Sequence, residues 1–520
     1  MIQKLHFILL LLLLSATQLF SQGFARTYTL ESTGNHGFSA TRNAIETPGG
    51  NYIMIGLTHD TLSTIDNFYF YRLSGQYTTL SLLATDANGD VIWRKNYHSN
   101  TYNYTDNLGF TGALVKSSSG FYHAVSVKDN QGSTYGLLMK FDYNGDTLWQ
   151  KRFVSAQPGG TLNLTAISTS VDGGLLLSAF TGTGLVTIKT TTNGVELWRH
   201  LLQSIPTSTQ ANTWIVPPIV HKIIQDTATK KIVHLVGYPV VSDSLGNSIN
   251  TFTLDYSNSM TSILLDVIQT QDKNFVAVGY LSGSTYLESH PGPVPIYYPY
   301  IIKFSLSGAR IWDMPDFTYV CYGGSEDYPC GYGAVSEKPN GEIVACGATY
   351  MKLSASGVKK YRRIFSLPRF CSNGSIGGNV MSIDRLASGS FILTKRGVSS
   401  FTNCPNPYML VKIDDNGCDS TISYCNLVDD IKAQSNPDGF SMNLFPNPAN
   451  DAVSIRLTAA GEKAMTISIT NILDAEIEQL SVKTNSAVQL NTSNYNAGIY
   501  FIQAGFEGRV IETKRLMITR

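Results

Sequence analysis

Residues Leu137–Phe153 read LLMKFDYNGDTLWQKRF, and this stretch decides the fold. It consists of an apolar run, a turn at Asn144-Gly145 and a second run that ends in an aromatic residue. Asn-Gly is a strong hairpin signal, because a two-residue type I′ turn needs positive φ at both central positions. The stretch therefore predicts a β-hairpin in which Lys140 lies directly opposite Trp149, with the lysine stem on the indole ring.

The same pattern recurs along the chain. Further copies lie at Ser81–Tyr97, Val186–Leu202, Tyr300–Pro315 and Thr349–Phe365, with a degenerate copy at Tyr408–Ile422 and a doubtful one at Thr251–Leu265. They predict the facing pairs Lys189–Trp198, Lys303–Trp312 and Lys352–Tyr361. A short apolar strand precedes each clear copy, and the turn glycines of neighbouring copies are 56, 49, 49 and 60 residues apart. Repeated β units of this size predict an array of small sheets.

The predicted fold is all-β: a β-propeller, with seven blades as the best count and six to eight as the range, followed by a small β-sandwich. The repeats resemble those of bacterial seven-bladed β-propeller families, whose copies also combine an Asp-Gly-Gly turn, a lysine, a turn glycine and a tryptophan. This resemblance implies a fold and almost nothing about function. Residues Phe24–Leu30 look like an outer strand without partners, so we expect them to close the ring by pairing with the last unit.

The ends of the chain carry targeting signals. We assign residues 1–22 to a secretory signal peptide, 23–427 to the propeller, 428–441 to a linker and 442–520 to a C-terminal domain. The apolar block Phe7–Leu14 is too short to span a bilayer, and no other stretch qualifies, so we expect no transmembrane segment in the mature chain. The 38 basic residues balance the 38 acidic ones. This balance argues against a nucleic-acid partner.

The C-terminal segment has six or seven short alternating strands, which predict a β-sandwich. It resembles the type A C-terminal sorting domain of the Bacteroidetes type IX secretion system. The residues that carry the resemblance are Phe445, Pro446, Asn447, Pro448, Gly498, Ile499, Tyr500, Phe501, Lys514, Arg515, Leu516 and Met517. One departure is Leu473–Glu476, which lacks the glycine of the family's usual turn. The resemblance implies the secretion machinery as a partner, removal of the domain after export, and release of the protein or its attachment to surface lipopolysaccharide.

Long insertions interrupt the repeats, and long connections on a rigid scaffold often carry binding sites. The insertions are His59–Thr79, Leu281–Pro299, Cys321–Gly333, Leu367–Asn379 and Lys395–Pro407. Residues repeated in every unit serve the architecture, so a binding site is expected to use residues that occur only once. The candidates are Phe68, Tyr69, Phe70, Tyr71, Trp214, His290, Tyr297, Tyr298 and Tyr300. Aromatic side chains suit glycan or protein recognition. The alternative is that each aromatic packs its insertion onto its own blade.

All seven cysteines lie in the last 200 residues. Export permits disulfides, and the candidate pairs are Cys321–Cys330, Cys371–Cys404 and Cys418–Cys425, although connectivity cannot be read from sequence. Cys346 lies within an apolar strand, which predicts a free core thiol. A zinc site is the alternative use of these cysteines, but no CxxC pair is present.

Two Asp-x-Asn-Gly-Asp stretches, Asp86–Asp90 and Asp142–Asp146, resemble fragments of calcium loops. An EF-hand loop has its glycine at the sixth position and a glutamate at the twelfth. Here the glycine is fourth and no glutamate follows in place. We therefore interpret both stretches as hairpin turns and expect no cofactor, with calcium as the alternative.

No HExxH, G-x-S-x-G, P-loop or dinucleotide motif occurs. Our first hypothesis is a secreted or surface-displayed, non-catalytic propeller that binds a glycan or a protein. One alternative is an extracellular hydrolase or lyase with its active site at the propeller mouth. Another is a structural protein of the cell surface. Clustered acidic groups in the channel would favour the enzyme, and an aromatic mouth would favour binding.

Overall fold

A computed structural model describes residues 23–28, 43–58, 76–77, 79–105, 114–157, 159–181, 184–202, 222–252, 254, 260–286, 293–317, 321–322, 331–347, 349–364, 380–396, 408–417, 441–459, 461–471, 476–506 and 509–519. The chain forms two compact units, Met1–Ile422 (unit 1) and Ser423–Arg520 (unit 2). The described part of both units consists of β-strands and their turns. The predicted all-β class is therefore confirmed. Most of the proposed linker and the whole of the proposed signal peptide lie outside the described residues.

Unit 1 contains 31 described strands. They are β1 (Phe24–Tyr28), β2 (Ala44–Glu46), β3 (Tyr52–Thr58), β4 (Gln76–Tyr77), β5 (Thr79–Thr85), β6 (Val91–His98), β7 (Tyr102–Thr105), β8 (Leu114–Ser117), β9 (Gly120–Asp129), β10 (Thr134–Phe141), β11 (Thr147–Phe153), β12 (Leu162–Thr169), β13 (Leu175–Thr181), β14 (Gly184–Thr190), β15 (Glu196–Leu201), β16 (Lys222–Gln225), β17 (Ile232–Leu235), β18 (Pro239–Ser242), β19 (Ser248–Thr251), β20 (Thr261–Gln269), β21 (Phe275–Tyr286), β22 (Pro293–Phe304), β23 (Arg310–Pro315), β24 (Cys321–Tyr322), β25 (Tyr332–Glu337), β26 (Ile343–Gly347), β27 (Thr349–Leu353), β28 (Lys359–Ile364), β29 (Val380–Arg385), β30 (Phe391–Arg396) and β31 (Tyr408–Ile413).

These strands form seven antiparallel sheets. Sheet 1 has the order β2-β3-β5-β6, and sheet 2 has β8-β9-β10-β11 with β7 and β4 added at the β9 edge. Sheets 3 to 6 are β12-β13-β14-β15, β16-β17-β18-β19, β20-β21-β22-β23 with β24 beside β22, and β25-β26-β27-β28. Sheet 7 is β29-β30-β31-β1. The first strand of the chain thus completes the last sheet, with Phe24 opposite Lys412 and Tyr28 opposite Tyr408, so the closure prediction is confirmed.

The first strands of the seven sheets contact one another in a closed cycle. The cycle runs β2, β8, β12, β16, β20, β25, β29 and back to β2. Apolar clusters fill the space between neighbouring sheets; one of them joins Ile53 and Leu82 of sheet 1 to Val125 and Phe141 of sheet 2. We refer to the space inside the ring of first strands as the axial channel. Sequence reasoning found the second, third and fourth strands of most sheets but missed these short first strands.

The fourth sheet corrects one assignment. The doubtful copy at Thr251–Leu265 is not a hairpin unit, because its ends belong to different sheets. The fourth hairpin is instead β18–β19, with its turn at Asp243–Asn247 and Gly246 at φ +88°. Its sequence, VVSDSLGNSIN, has neither the lysine nor the aromatic of the other copies. The repeat is therefore maintained by the turn and strand spacing where the side-chain signature is lost.

The hairpin register is as predicted, but the turn is not. Lys140 lies opposite Trp149, and the corresponding residues pair in sheets 3, 5 and 6. Of the two central residues only Gly145 has a positive φ, +83°, and its amide donates to Asp142 O at 3.1 Å. This is a type I turn that ends in a left-handed glycine, followed by a bulge at Leu148. The type I′ prediction is wrong, and the bulge restores the expected register.

The lysine–indole contact is also corrected. Lys352 Nζ lies 5.6 Å from the ring centre of its paired Tyr361. Lys140 Nζ instead lies over Tyr122, at 5.1 Å. The lysines of two other sheets form ion pairs with aspartates of a neighbouring turn, Lys189 with Asp172 and Lys303 with Asp272. Burial of these stems leaves the ammonium groups in need of a counter-charge, which a carboxylate supplies better than a ring.

The hairpin aromatics connect neighbouring sheets. A Cβ on the turn glycine would lie only 2.6–2.8 Å from an aromatic ring of the preceding sheet, for the pairs Gly145–Trp93, Gly194–Trp149, Gly246–Trp198, Gly308–Phe252, Gly357–Trp312, Gly417–Tyr350 and Gly89–Phe24. The last pair joins sheet 7 to sheet 1. The turn glycine is thus required for close approach as well as for its φ. This contact recurs at all seven interfaces and completes the ring.

A second contact recurs at four interfaces. The last side chain of a first strand accepts a hydrogen bond from a turn amide of the preceding sheet, in Gln225–Val171 (2.9 Å), Gln269–Thr227 (3.0 Å), Glu337–Gln271 (2.8 Å) and Glu46–Ala387 (3.0 Å). All the turns involved lie at one end of the ring, the turn end. The connections from second to third strand, and from each sheet to the next, leave from the opposite end, the connection end.

The described part of unit 2 contains seven strands in two sheets. They are β32 (Ser441–Phe445), β33 (Ala452–Thr458), β34 (Ala464–Asn471), β35 (Glu476–Lys483), β36 (Ser486–Asn491), β37 (Gly498–Phe506) and β38 (Arg509–Ile518). The sheets have the orders β32-β33-β36 and β35-β34-β37-β38. Both contribute to one apolar core, which includes Val453 and Leu490 from the first sheet and Ile467 and Ile502 from the second. This arrangement is the predicted β-sandwich.

Candidate functional site

The candidate aromatics do not meet in one described site. Phe68, Tyr69, Phe70, Tyr71, Trp214 and His290 lie outside the described residues. Tyr297 and Tyr298 lie in β22, which extends with β21 beyond the rest of sheet 5 at the connection end. Tyr297 stacks edge to face with Tyr280 at 5.6 Å, and burial raises its pKa. Tyr298 packs against Phe317 at 5.0 Å.

The third aromatic of that segment, Tyr300, is buried and donates a hydrogen bond to Asp313 Oδ2 at 3.0 Å. Tyr300 therefore stabilises its own sheet. Phe317 remains 45% exposed, so an aromatic surface is present at this end of sheet 5. The insertion that the sequence presents as a loop is largely a β-hairpin.

The cysteine predictions are tested at one position. Cys346 is free and fully buried in β26, as predicted for a core thiol, and burial raises its pKa. Cys321 lies in β24, while its proposed partner Cys330 lies outside the described residues. The other candidate cysteines, Cys371, Cys404, Cys418 and Cys425, lie outside them as well. The three disulfide pairings stay predictions.

The Asp-x-Asn-Gly-Asp stretches use their carboxylates within the turn. Asp86 Oδ1 accepts the amides of Asn88 and Asp90 at 2.9 and 2.8 Å, and Asp142 Oδ1 binds its own turn in the same way. Within the described residues, no group of three or more His, Cys, Asp or Glu side chains is arranged to hold a metal ion. These aspartates stabilise the hairpins through their hydrogen bonds to the turn amides.

The axial channel contains charged residues that break the repeat. Lys222 of β16 and Asp266 of β20 form an ion pair at 2.7 Å. Asp266 is 3% exposed, and its other oxygen accepts the amide of Val335 in the next first strand at 2.9 Å. The strand register places Lys222 and Asp266 where sheets 3 and 6 have Ala166 and Ala334.

A third charged residue, Asp384, lies on the first strand of sheet 7. Its carboxyl interacts electrostatically with Lys222 and Asp266, although sheet 7 is three sheets away from sheet 4 around the ring. All three residues lie on first strands of the same cycle. Solvent reaches the side chain, yet the surrounding protein desolvates the carboxyl and raises its pKa to about 6. Lys222 opposes this shift, and Asp266 adds to it.

Sequence reasoning missed these residues, although a signal was present. Each charge interrupts an apolar segment, as in TSILLDVIQ at Thr261–Gln269 and VMSIDR at Val380–Arg385. They are also symmetry-breaking residues, which is the property we expected of a site. They were missed because the first strands themselves were not recognised.

In unit 2 the three predicted sorting motifs come together. The side-chain amide of Asn447 donates to Arg515 O at 2.6 Å, and its oxygen accepts the Met517 amide at 2.9 Å. Strand β37 pairs with β38 so that Tyr500 lies opposite Leu516, and Phe501 lies opposite Arg515. Residues far apart in the sequence thus build one edge of the sandwich around β38.

This edge is partly polar and partly apolar. Tyr500 is buried and donates to Asn496 O at 3.1 Å. Phe445 is 78% exposed, and Pro446 and Pro448 beside it are exposed as well. Lys514 is exposed, and its Nζ lies 3.4 Å from Glu512 Oε1.

Residues 443–519 match the family described as the secretion system C-terminal sorting domain. The match supports the prediction that this part of the chain is a sorting domain. It supports export by the type IX secretion system to the cell surface or the extracellular space, and it implies an interaction with the secretion machinery. No helix among the described residues is long and apolar enough to cross a membrane.

No curated protein matches the chain. Similar solved structures include a protein of unknown function from Bacteroides caccae, with 10% identity over 56% of this chain and 93% of that one, and a TM-score of 0.33. Raptor from Chaetomium thermophilum is 8% identical over 67% of this chain and 28% of its own, with a TM-score of 0.35. The WD40 domain of SCAP from fission yeast is 9% identical over 75% and 98%, with a TM-score of 0.29. Likenesses at this level carry no argument about function.

Proposed function

We propose that the chain is an exported, non-catalytic binding protein, and that unit 1 is a seven-bladed β-propeller that binds a glycan or a protein at its connection end. The seven sheets and the closed cycle of first strands support the blade count. The seven aromatic–glycine contacts, one at each interface, support the same count.

The observation that carries the binding role is the difference between the two ends of the ring. The turn end consists of short turns held by repeated hydrogen bonds. All five insertions predicted from the sequence join strands at the connection end, at positions such as the one between β3 and β5. A ring of packed sheets with its long connections on one end is the usual construction of a ligand-binding scaffold. Phe317 and Tyr298 supply aromatic surface at this end.

The second candidate, a hydrolase or lyase, is favoured by Asp384, whose raised pKa suits a general acid. A glycosidase also needs a second carboxylate, free to act as nucleophile or base. Asp266 is the acidic residue whose charge acts on Asp384. It is buried, paired with Lys222 and bonded to two backbone amides, those of Val267 and Val335. Both oxygens of Asp266 therefore already have partners within the protein, so the carboxylate is not available as a nucleophile or base. For this reason we favour binding over catalysis.

For the export route, we propose that the sorting domain is removed after secretion and that unit 1 is released or attached to surface lipopolysaccharide. Deletion of residues 442–520 should leave the protein in the periplasm. Fractionation and protease shaving of intact cells measure this outcome. Surface exposure of the truncated protein would refute the export role of the domain.

Binding is tested with the chain that lacks only the proposed signal peptide, residues 23–520, on a glycan array and on a panel of surface proteins, with and without chelator. We expect a selective ligand, and Phe317→Ala should weaken its binding at least fivefold. Leu245→Ala is the matched control, because Leu245 is 58% exposed on a turn-end loop. A larger effect of Leu245→Ala than of Phe317→Ala would place the binding site at the turn end and refute the proposed location. Loss of binding in chelator would indicate that calcium is a cofactor. Release of products from an arrayed glycan would indicate that the protein is an enzyme.

A further inference from the structure

Sheet 2 is extended at the connection end. Strands β9 and β10 continue past the end of β11 as a hairpin, with Asp129 before its turn and Thr134 after it. Strand β7 pairs with the extended part of β9, and β4 pairs with β7. Strand β4 (Gln76–Tyr77) belongs to the insertion His59–Thr79, which follows a strand of sheet 1. One of the long insertions predicted from the sequence therefore builds part of this extension.

One face of the extension carries an exposed arginine on buried tyrosines. The strand register places Tyr104 and Tyr135 on either side of Val127, so these three side chains share the face. Tyr104 and Tyr135 are 1% and 6% exposed. Arg152 of β11 is opposite Leu137 and is therefore the diagonal neighbour of Tyr135. Its guanidinium carbon lies 3.6 Å from the centre of the Tyr135 ring, and its side chain is 53% exposed. The ring thus fixes the position of the guanidinium group.

The guanidinium of Arg152 has few partners within the protein. Among the described residues it makes no hydrogen bond, and its one ionic neighbour is Asp129, whose Oδ2 lies 3.8 Å from Arg152 Nη2. This distance is too long for a hydrogen bond. Asp129 Oδ1 accepts the amides of Gln131 and Ser133, at 3.1 and 2.8 Å, and holds the hairpin turn. Arg152 therefore presents its N–H donors to solvent, beside the Asp129 oxygen that the turn does not use.

Tyr102 adds an aromatic surface next to this pair. It is opposite Asp129 on β7 and therefore lies on the same face of the sheet. Its ring packs edge to face against Tyr104 at 5.5 Å and against Tyr135 at 6.2 Å, and it remains partly exposed. An arginine, a carboxylate oxygen and an aromatic ring thus lie around Tyr135 on one face at the connection end.

The arginine breaks the repeat. Sheet 2 has Arg152 three residues after its hairpin aromatic. The other sheets whose hairpins carry the aromatic have Asn96, Leu201, Pro315 and Ile364 at that position. Residues that serve the architecture recur from sheet to sheet, so Arg152 has the property that we expect of a binding residue.

We infer that this face of sheet 2 binds an acidic sugar, with the sugar carboxylate on the guanidinium of Arg152. A guanidinium stacked on a ring keeps its N–H edge free, and that edge matches the two oxygens of a carboxylate. Asp129 Oδ2 accepts a hydroxyl of the same sugar, and the ring of Tyr102 packs against a sugar face. A hexuronate presents a carboxylate beside a hydroxyl, which suits this arrangement. A protein carboxylate side chain has no such hydroxyl, so we favour a glycan.

This inference rests on the proposed function and deepens it, because it names the class of glycan. The test is calorimetric titration of residues 23–520 at low ionic strength and pH 7. The probes are oligomers of galacturonate, glucuronate and mannuronate, and the matched neutral probes are their methyl esters. Hexaglutamate represents a protein-type carboxylate. We expect at least one uronate oligomer to bind, its methyl ester to bind at least tenfold more weakly, and hexaglutamate to bind more weakly than that oligomer.

The decisive variant is Arg152→Gln, which removes the charge and should weaken the uronate oligomer at least tenfold. Lys151→Gln is the matched control, because it makes the same change in charge at an exposed neighbour whose side chain points to the opposite face. It should change the affinity less than twofold. Arg152→Lys keeps the charge and loses the planar fork, so it should still weaken binding at least threefold. Circular dichroism of each variant checks that the sheets are retained.

Failure of every uronate oligomer, equal affinity for an oligomer and its methyl ester, or unchanged affinity in Arg152→Gln overturns the inference. Tighter binding of hexaglutamate than of every uronate overturns the assignment to a glycan. An array ligand that Phe317→Ala weakens and Arg152→Gln does not affect refutes this site and leaves the proposed function standing. A blank array together with blank titrations refutes both.

Discussion

Replacement of one turn glycine tests the contact that closes the ring. Gly194 lies at φ +73°, and a Cβ there would be 2.8 Å from both Trp149 Cζ3 and Lys151 Cγ. Gly173 is the matched control in the same sheet: its φ is +91°, and no atom lies within 4 Å of its Cβ position. Both substitutions place an alanine at a positive φ, which destabilises the folded state. Only Gly194→Ala also displaces an aromatic ring of the neighbouring sheet.

The magnitudes follow from these geometries. A left-handed alanine costs about 1–2 kcal/mol, and the stiffer unfolded chain returns about 0.5 kcal/mol, so we expect Gly173→Ala to lower the free energy of unfolding by about 1 kcal/mol. In Gly194→Ala the indole must move by several tenths of an ångström. Overpacking of this kind adds about 1–3 kcal/mol, for a total of roughly 2–4 kcal/mol. The partly buried Trp149 should itself cost about 2–3 kcal/mol on replacement by alanine.

Urea unfolding followed by tryptophan fluorescence is the assay, because all five tryptophans lie in unit 1. In the double variant Trp149→Ala, Gly194→Ala, the glycine substitution should cost only about 1 kcal/mol, which gives a coupling free energy of about 1–3 kcal/mol. Equal losses in Gly173→Ala and Gly194→Ala, or additive losses in the double variant, would show that the aromatic does not hold the two sheets together.

Three further predictions concern other contacts. His234 is fully buried between the hydroxyls of Ser178 and Thr187, and desolvation lowers its pKa to about 3. The free energy of unfolding of unit 1 should therefore decrease by about 2–3 kcal/mol between pH 6.5 and 4.5, because the unfolded state takes up the proton and the folded state does not. Fluorescence-monitored unfolding should show a weaker pH dependence in His234→Gln, and an unchanged pH dependence would contradict this. Glu342→Gln should cost about 2–4 kcal/mol in the same assay at pH 7, because Lys338, Lys352 and Lys360 all contact that carboxylate; a loss below about 0.5 kcal/mol would mean that the network does not stabilise the fold. Asn447→Ala should speed hydrogen exchange of the Met517 amide at least tenfold, with Asn443→Ala as an exposed control, and slow exchange in Asn447→Ala would exclude the bond as a lock on β38.

The hairpin shows why part of the fold could be predicted from the sequence. An Asn-Gly turn with an aromatic four residues later is a local pattern, and local sterics determine the strand pairing around it. The pairing of Lys140 with Trp149 is therefore as predicted. The turn type is not, because a bulge at Leu148 gives the same register with a different backbone. The sorting domain could be predicted for another reason, because its motifs are contiguous in sequence and occur in a fixed order.

The contacts of the lysines were harder to predict. The repeat places each lysine opposite an aromatic, but the nearest counter-charge comes from a turn distant in sequence, as Asp172 does for Lys189. The partner of a buried ammonium is determined by which carboxylate the packing brings within reach. Spacing along one strand contains no such information.

The sequence by itself determined the all-β class, the repeat, the facing residues within each hairpin and the C-terminal sorting domain, since these depend on interactions between near neighbours or on contiguous motifs. Only the tertiary structure decided which aromatic covers which glycine, because those pairs join different sheets. It also decided that Lys222, Asp266 and Asp384 lie on first strands of one cycle of sheets. Their short strands carry almost no periodic signal, and ring closure alone brings residues more than 100 positions apart into one electrostatic environment.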